Sequence, residues 1–132
     1  MCDVGVRVGT DIESVDDVRA SLEQYGRRYL GRVFTAAEIA SCGGVTPEAA
    51  PGLTARFAAK EAVMKLLQPV DVVPTWRSIE VRRLPGGAPE IALSDDAAAL
   101  AAAAGITQIA ISLSHGAGVG IATAVGTFRT TP

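Results

Sequence analysis

The stretch Leu53–Gln68, LTARFAAKEAVMKLLQ, decides how the rest of the chain folds. It is rich in strong helix formers and contains neither proline nor glycine. At about 3.6 residues per turn, Leu53, Phe57, Met64 and Leu67 fall on one stripe, which predicts a long helix packed on a core. Lys60 lies within that stripe, where an ammonium group is costly unless its head reaches water. Glu61 sits at the edge of the stripe, with Lys65 one turn further on and therefore on the same side. Such a pair is ordinarily a surface ion pair worth a few tenths of a kcal/mol. A carboxylate and two lysines beside a buried seam point instead to a site.

Around this helix, 132 residues are enough for one domain, 1–132, with a real core. The chain is 48% hydrophobic and 20% charged, a globular balance. A formal net charge of −2 argues against wholesale nucleic-acid binding, so a polyanionic substrate would have to be held by a few placed cations or a metal. With one histidine, and Cys2 and Cys42 outside any C-x-x-C spacing, a zinc site is not expected. No signal-peptide pattern opens the sequence, and no run approaches the roughly 18 apolar residues of a membrane span. A reduced, cytoplasmic setting is the expectation.

Upstream, Val4, Val6 and Val8 alternate with Gly5, Arg7 and Gly9 as a strand that ends at Gly9–Glu13. Alternation puts Asp11 on the face of Arg7, opposite the valines, although Asp11 or Ser14 could equally be a helix cap. Val15–Leu30 reads as a helix broken near Gly26, with Val18, Leu22 and Tyr25 on one side. Its acids come first and its arginines last, as the helix dipole favours. Thr35 and Glu38 have capping-box spacing. Pro51-Gly52 either interrupts a helix that starts near Thr46 or restarts it.

Downstream, Gln68–Thr75 is an irregular connection. Trp76–Leu84, the turn Pro85-Gly86-Gly87 and Glu90–Leu93 form a hairpin, and Ser94-Asp95-Asp96 caps an alanine-rich helix that Gly105 ends. Gln108–His115 is a strand with Ile109, Ile111, Leu113 and His115 on one face and Ala110, Ser112 and Ser114 on the other. Gly116-Ala117-Gly118 turns it into a return strand, Val119–Val125, followed by a frayed tail from Thr127. At that glycine-rich turn, backbone amides and His115 could meet an anion.

Three stretches stand in the order and spacing of one family: Gly9-Thr10-Asp11-Ile12, then Arg56-Phe57-Ala58-Ala59-Lys60-Glu61-Ala62 with Lys65, then Ser112-Leu113-Ser114-His115. With the lesser motifs Arg32-Val33-Phe34-Thr35 and Gly87-Ala88-Pro89, nearly the whole chain resembles the holo-acyl-carrier-protein synthase type of 4′-phosphopantetheinyl transferase. The resemblance implies an α+β fold, a long central helix on a small, mostly antiparallel sheet. It implies Mg²⁺-dependent transfer of phosphopantetheine from coenzyme A to a serine of an apo acyl carrier protein, releasing adenosine 3′,5′-bisphosphate. It also implies a homotrimer with active sites between neighbouring protomers. An alternative is a non-catalytic module of the same fold that binds coenzyme A or a carrier protein.

Carried over residue by residue, the resemblance makes Asp11 and Glu61 the metal ligands and Lys65 the cation at the pyrophosphate. Lys60 would contact a phosphate or buttress the acids from the core side. His115, with Ser114, would take the 3′-phosphate, and Arg56 would help there or at the interface. A water beside the metal or Glu61 itself would take the serine proton. The chain departs from the family pattern in two places. Gln68–Pro74 has no glycine where a glycine-rich turn usually meets the adenine. Asp16 and Asp17 stand where basic residues usually meet the carrier, so docking would fall to Arg19, Arg27, Arg28 and Arg32, or the partner is less acidic.

Overall fold

The computed structural model describes residues 3–130; Cys2 and the last two residues of the expected tail lie outside them. The elements are β1 (Val4–Ser14), α1 (Val15–Tyr25), α2 (Arg27–Val33), α3 (Ala36–Ser41), α4 (Ala50–Leu67), β2 (Ile79–Arg83), β3 (Pro89–Leu93), α5 (Asp95–Ala103), β4 (Ile106–Gly116) and β5 (Val119–Arg129). β1, β5 and β4 form one antiparallel sheet in that order, and β2 and β3 pair as a separate hairpin. The architecture is the expected α+β one, with α4 lying across the sheet. No helix among the described residues is long and apolar enough to cross a membrane.

α4 starts at Ala50, with Pro51 in its first turn, where a missing N–H costs nothing. Pro51-Gly52 therefore lies inside the helix. Gln68 caps its other end in the left-handed conformation, just before Pro69. Ala58, Ala59, Ala62, Val63, Leu66 and Leu67 pack against Ile79, Val81, Ala122 and Ala124, and Leu53 packs against Leu30, Phe34 and Val18. Each fully buried leucine contributes about 1.5–3 kcal/mol.

Two glycines let the helix lie this low. A Cβ on Gly9 of β1 would collide with the Ala62 carbonyl, and one on Gly120 of β5 would come within 2.7 Å of the Ala55 nitrogen. Because Gly9 faces the helix, so do Arg7 and Asp11, its neighbours two residues away, and the alternate residues face outward. Val4, Val6, Val8 and Ile12 are accordingly 60–66% exposed. With Ile121 and Val125 of β5 they leave an apolar outer face on the sheet.

Several expected boundaries move. The first strand continues past Gly9 to Ser14, which caps α1 by accepting from the Asp17 amide. The first helix breaks at Gly26 (φ 54°) as expected, but Tyr25 is exposed and does not join Val18 and Leu22 in the core. The β5 strand runs to Arg129, and Thr130 donates to the Asp3 carbonyl, so the tail is not frayed from Thr127. Ser94 precedes α5 without making a side-chain cap.

Candidate active site

The close crossing of β1 and α4 brings four charged side chains together. Asp11 and Glu13 come from alternate positions on the helix side of β1, and Glu61 and Lys65 from one face of α4. Lys65 does not bridge to Glu61. It reaches across to the strand, donating to Asp11 Oδ1 at 3.1 Å and to the Thr10 carbonyl at 2.8 Å. Neither Glu61 nor Glu13 makes an ion pair within 4.0 Å among the described residues.

One cation for three acids leaves the cluster short of positive charge. Glu13 is pushed up to about 7 by burial, by a hydrogen bond shared with the Asp11 carboxyl and by the charges of Asp11 and Glu61, with Lys65 opposing. Glu61 is raised for similar reasons, burial first and then the Asp11 charge. Asp11 Oδ2 is buried without a hydrogen-bond donor. Hard oxygen donors, an orphaned buried carboxylate oxygen and a local excess of negative charge fit Mg²⁺, which takes carboxylate and phosphate oxygens. Among the described residues no three acidic, histidine or cysteine side chains already form a metal cage.

Lys60 belongs to a different site, which corrects the expectation that it meets a phosphate. Its side chain is fully buried and ion-paired at 2.8 Å with Glu38, itself fully buried. It also donates to the carbonyls of Trp76 and Ile79. Glu38 closes the capping box of α3 and accepts the Val81 amide of β2, so every group in this knot has a partner. Burial lowers the Lys60 pKa and Glu38 opposes the shift.

Arg56, one turn before Lys60, is also buried. It donates to Ser41 Oγ at 3.0 Å and to the Gly52 carbonyl, away from the acid cluster. Ser114 and His115 do not converge on one ligand either, because successive residues of β4 point to opposite faces. His115 does share a face with Glu13: both pair with Gly120, on either side of β5. α4 lies over Gly120, so the helix stands between His115 and the acids of the same protomer.

A groove of about 360 Å³ runs between α1 and α2, lined by Ser21, Tyr25, Arg28, Tyr29, Arg32 and Val33. The Tyr29 hydroxyl is pushed up to about 12, chiefly by burial and then by the Glu13 charge. Sequence reasoning passed over Glu13 and Glu38 as site and knot residues. Extending the strand alternation two residues past Asp11 would have found Glu13; nothing local marks Glu38 as the partner of Lys60.

A carboxylate cluster beside a cation, where a strand crosses a long helix, offers hard oxygen donors suited to a divalent cation. The chain belongs to the 4′-phosphopantetheinyl transferase superfamily, whose profile matches residues 7–122. Holo-[acyl-carrier-protein] synthase of Dehalococcoides mccartyi is 42% identical over 107 residues, 81% of this chain and 86% of that protein. The enzyme of that name from Desulforudis audaxviator is 43% identical over 108 residues, covering 82% of each. The holo-[acyl-carrier-protein] synthase of Helicobacter pylori, solved in complex with coenzyme A, superposes with a TM-score of 0.78 at 28% identity over 90% of this chain and 98% of that one. The Plasmodium yoelii holo-ACP-synthase shares the fold, with a TM-score of 0.83 at 24% identity over 97% of this chain and 99% of that one.

Proposed function

We propose that this chain, acting as one domain in the cytoplasm, transfers 4′-phosphopantetheine from coenzyme A to the serine hydroxyl of an apo acyl carrier protein. Mg²⁺ would be held by Asp11 and Glu61, and adenosine 3′,5′-bisphosphate would be released. The observation that carries the reading is the under-neutralised cluster of Asp11, Glu61 and Lys65 in a member of this superfamily. When bound, Mg²⁺ would supply neutralisation of the pyrophosphate and in-line orientation of the phosphorus.

Asp11 and Glu61 offer the hard oxygens that fix such an ion. The Lys65 side chain is 54% exposed, so its ammonium is able to turn from Asp11 to the pyrophosphate and stabilise the departing phosphate. The serine oxygen forms the new P–O bond as the bond to the nucleotide phosphate oxygen breaks. Glu61, or a water held beside these acids, would take the serine proton.

The barrier that α4 makes between His115 and the acids supports a site completed by a neighbouring protomer, whose His115 would approach the 3′-phosphate. The apolar outer face of Val4, Val6, Val8 and Ile12 supports association into a homotrimer. For the carrier, Arg19 is already paired with Asp16 at 3.3 Å. Arg28 and Arg32 in the α1–α2 groove are better placed to receive an acidic helix whose serine must reach the acids.

The test is intact mass spectrometry of an apo acyl carrier protein incubated with this protein, coenzyme A and Mg²⁺. A phosphopantetheine mass gain that EDTA abolishes is the expected result. Coenzyme A binding without any gain across several carriers would overturn it in favour of a non-catalytic binding module.

A further inference from the structure

We infer that Arg7 is a positioning residue for the proposed transfer: it locks the last turn of α4 onto β1 and thereby fixes where Lys65 stands. The inference rests on the reading of Lys65 given above and extends it to a residue outside the acid cluster.

Arg7 lies on the helix side of β1, two residues before Gly9 and four before Asp11. Its Nη1 donates to the Leu66 carbonyl at 3.2 Å. That carbonyl belongs to the last turn of α4, whose C=O groups have no partner within the helix. The guanidinium also brings positive charge to the negative end of the helix dipole. No carboxylate among the described residues lies within 4.0 Å of Arg7. An aromatic ring holds it instead, with the guanidinium carbon 5.2 Å from the Phe128 ring centroid. The strand register makes room for this clamp. Gly5 pairs with Phe128, and a Cβ at Gly5 would fall inside the ring. Gly126 pairs with Arg7, and a Cβ there would come within 2.9 Å of the Leu66 side chain.

Leu66 follows Lys65 directly, so a bond to the Leu66 carbonyl fixes the backbone from which Lys65 departs. Lysine side chains on a helix lean toward its N-terminus, and from the last turn Lys65 reaches the Thr10 carbonyl and Asp11 in this way. The side chain is 54% exposed, so little besides its backbone anchor determines where the ammonium sits. The contact of Gly9 with the Ala62 carbonyl limits how close the helix comes to the strand, but it does not hold the helix there. Among the described residues Arg7 is the one side-chain donor of β1 that bonds the α4 backbone.

The test is a double-mutant cycle on transfer to the carrier, with Arg7→Met and Lys65→Ala made singly and together and each melted in the same preparation. Methionine keeps an apolar stem but neither charge nor donor. Arg7→Met should slow transfer about ten- to a hundredfold, the order that a misplacement of about 1 Å commands. In the Lys65→Ala background the same change should slow it less than about twofold, because no ammonium is left to position. Phe128→Leu removes the ring and leaves the bond to Leu66, and it runs the same cycle if Arg7→Met melts below the assay temperature. Its expected loss is about fivefold with Lys65 present and none without it. Equal losses in both backgrounds would make Arg7 a stabilising residue only and overturn the inference, as would wild-type transfer by Arg7→Met. Wild-type transfer by Lys65→Ala would overturn the role given to Lys65, and the inference with it. No transfer by the wild-type protein would overturn the proposed function itself.

Discussion

Lys60 and Glu61 are neighbours on one helix, yet they serve opposite kinds of site. Lys60 is enclosed with Glu38, and every hydrogen-bonding group in that knot is matched across α3, α4 and β2. Glu61 faces β1 with Asp11 and Glu13, where three acids share one lysine and a buried oxygen lacks a donor. The first arrangement is complete in the folded chain and has nothing left to offer a ligand. The second is left costly in the folded chain, a cost that the proposed cation and substrate would relieve, and this is how a binding site differs from a structural ion pair.

The largest effect expected is on the enclosed side. Lys60→Met leaves Glu38 buried without its cation and should cost about 3–5 kcal/mol, read by urea denaturation. Adding Glu38→Gln should recover part of that loss, because the uncompensated charge is then gone. A single variant as stable as wild type would erase the distinction between the two sites.

On the open side, Lys65→Ala should cost less than about 1 kcal/mol of stability, since the lysine's own side chain is 54% exposed, although Asp11 is nearly buried. Transfer to the carrier should nonetheless fall by about 10²–10³, the effect of removing one preorganised charge at a developing anion. Gly9→Ala probes the crossing that brings the two elements together. Its methyl group meets the Ala62 carbonyl, so about 1–3 kcal/mol of overpacking strain is expected, together with weaker metal binding as β1 moves off α4.

The smallest effect is on pH dependence. Glu13 titrates near 7 in the fold against an ordinary 4.5, so between those values the folded chain holds a proton that the unfolded chain has lost. Stability from this group therefore falls as pH rises through that window. Metal-free protein should melt at a lower temperature at pH 8 than at pH 5 by this contribution, and Glu13→Gln should flatten the slope. A slope unchanged in Glu13→Gln would assign it to other groups.

Much of this was legible in the residues. Helix formers from Leu53 to Gln68 marked α4, the Thr35–Glu38 spacing marked the capping box, and alternation put Asp11 on the face of Arg7, opposite the valines. What stayed hidden were partnerships at long range. Periodicity told that Lys60 is buried, but its partner Glu38 sits on another helix and has a local capping role that already explains it. Alternation told that β1 has two faces, but an apolar face opposite an Arg–Asp face reads as inward, and only the glycines at 9 and 120 reverse it. Glu13 was missed because a strand taken to end among Gly9–Glu13 loses its period at the residue where it matters. Ser114 and His115 are adjacent in sequence and resemble one anion-binding motif, but strand alternation puts them on opposite faces.

The division of α4 is tested most directly by Glu61→Gln, an isosteric change beside the intact Lys60 knot, assayed for carrier modification by intact mass and for unfolding temperature in the same preparation. The account predicts a protein that melts at or above the wild-type temperature, because like-charge repulsion is relieved, and that transfers phosphopantetheine at least about a hundredfold more slowly. A variant that keeps wild-type transfer, or that loses transfer only because it unfolds, would contradict it.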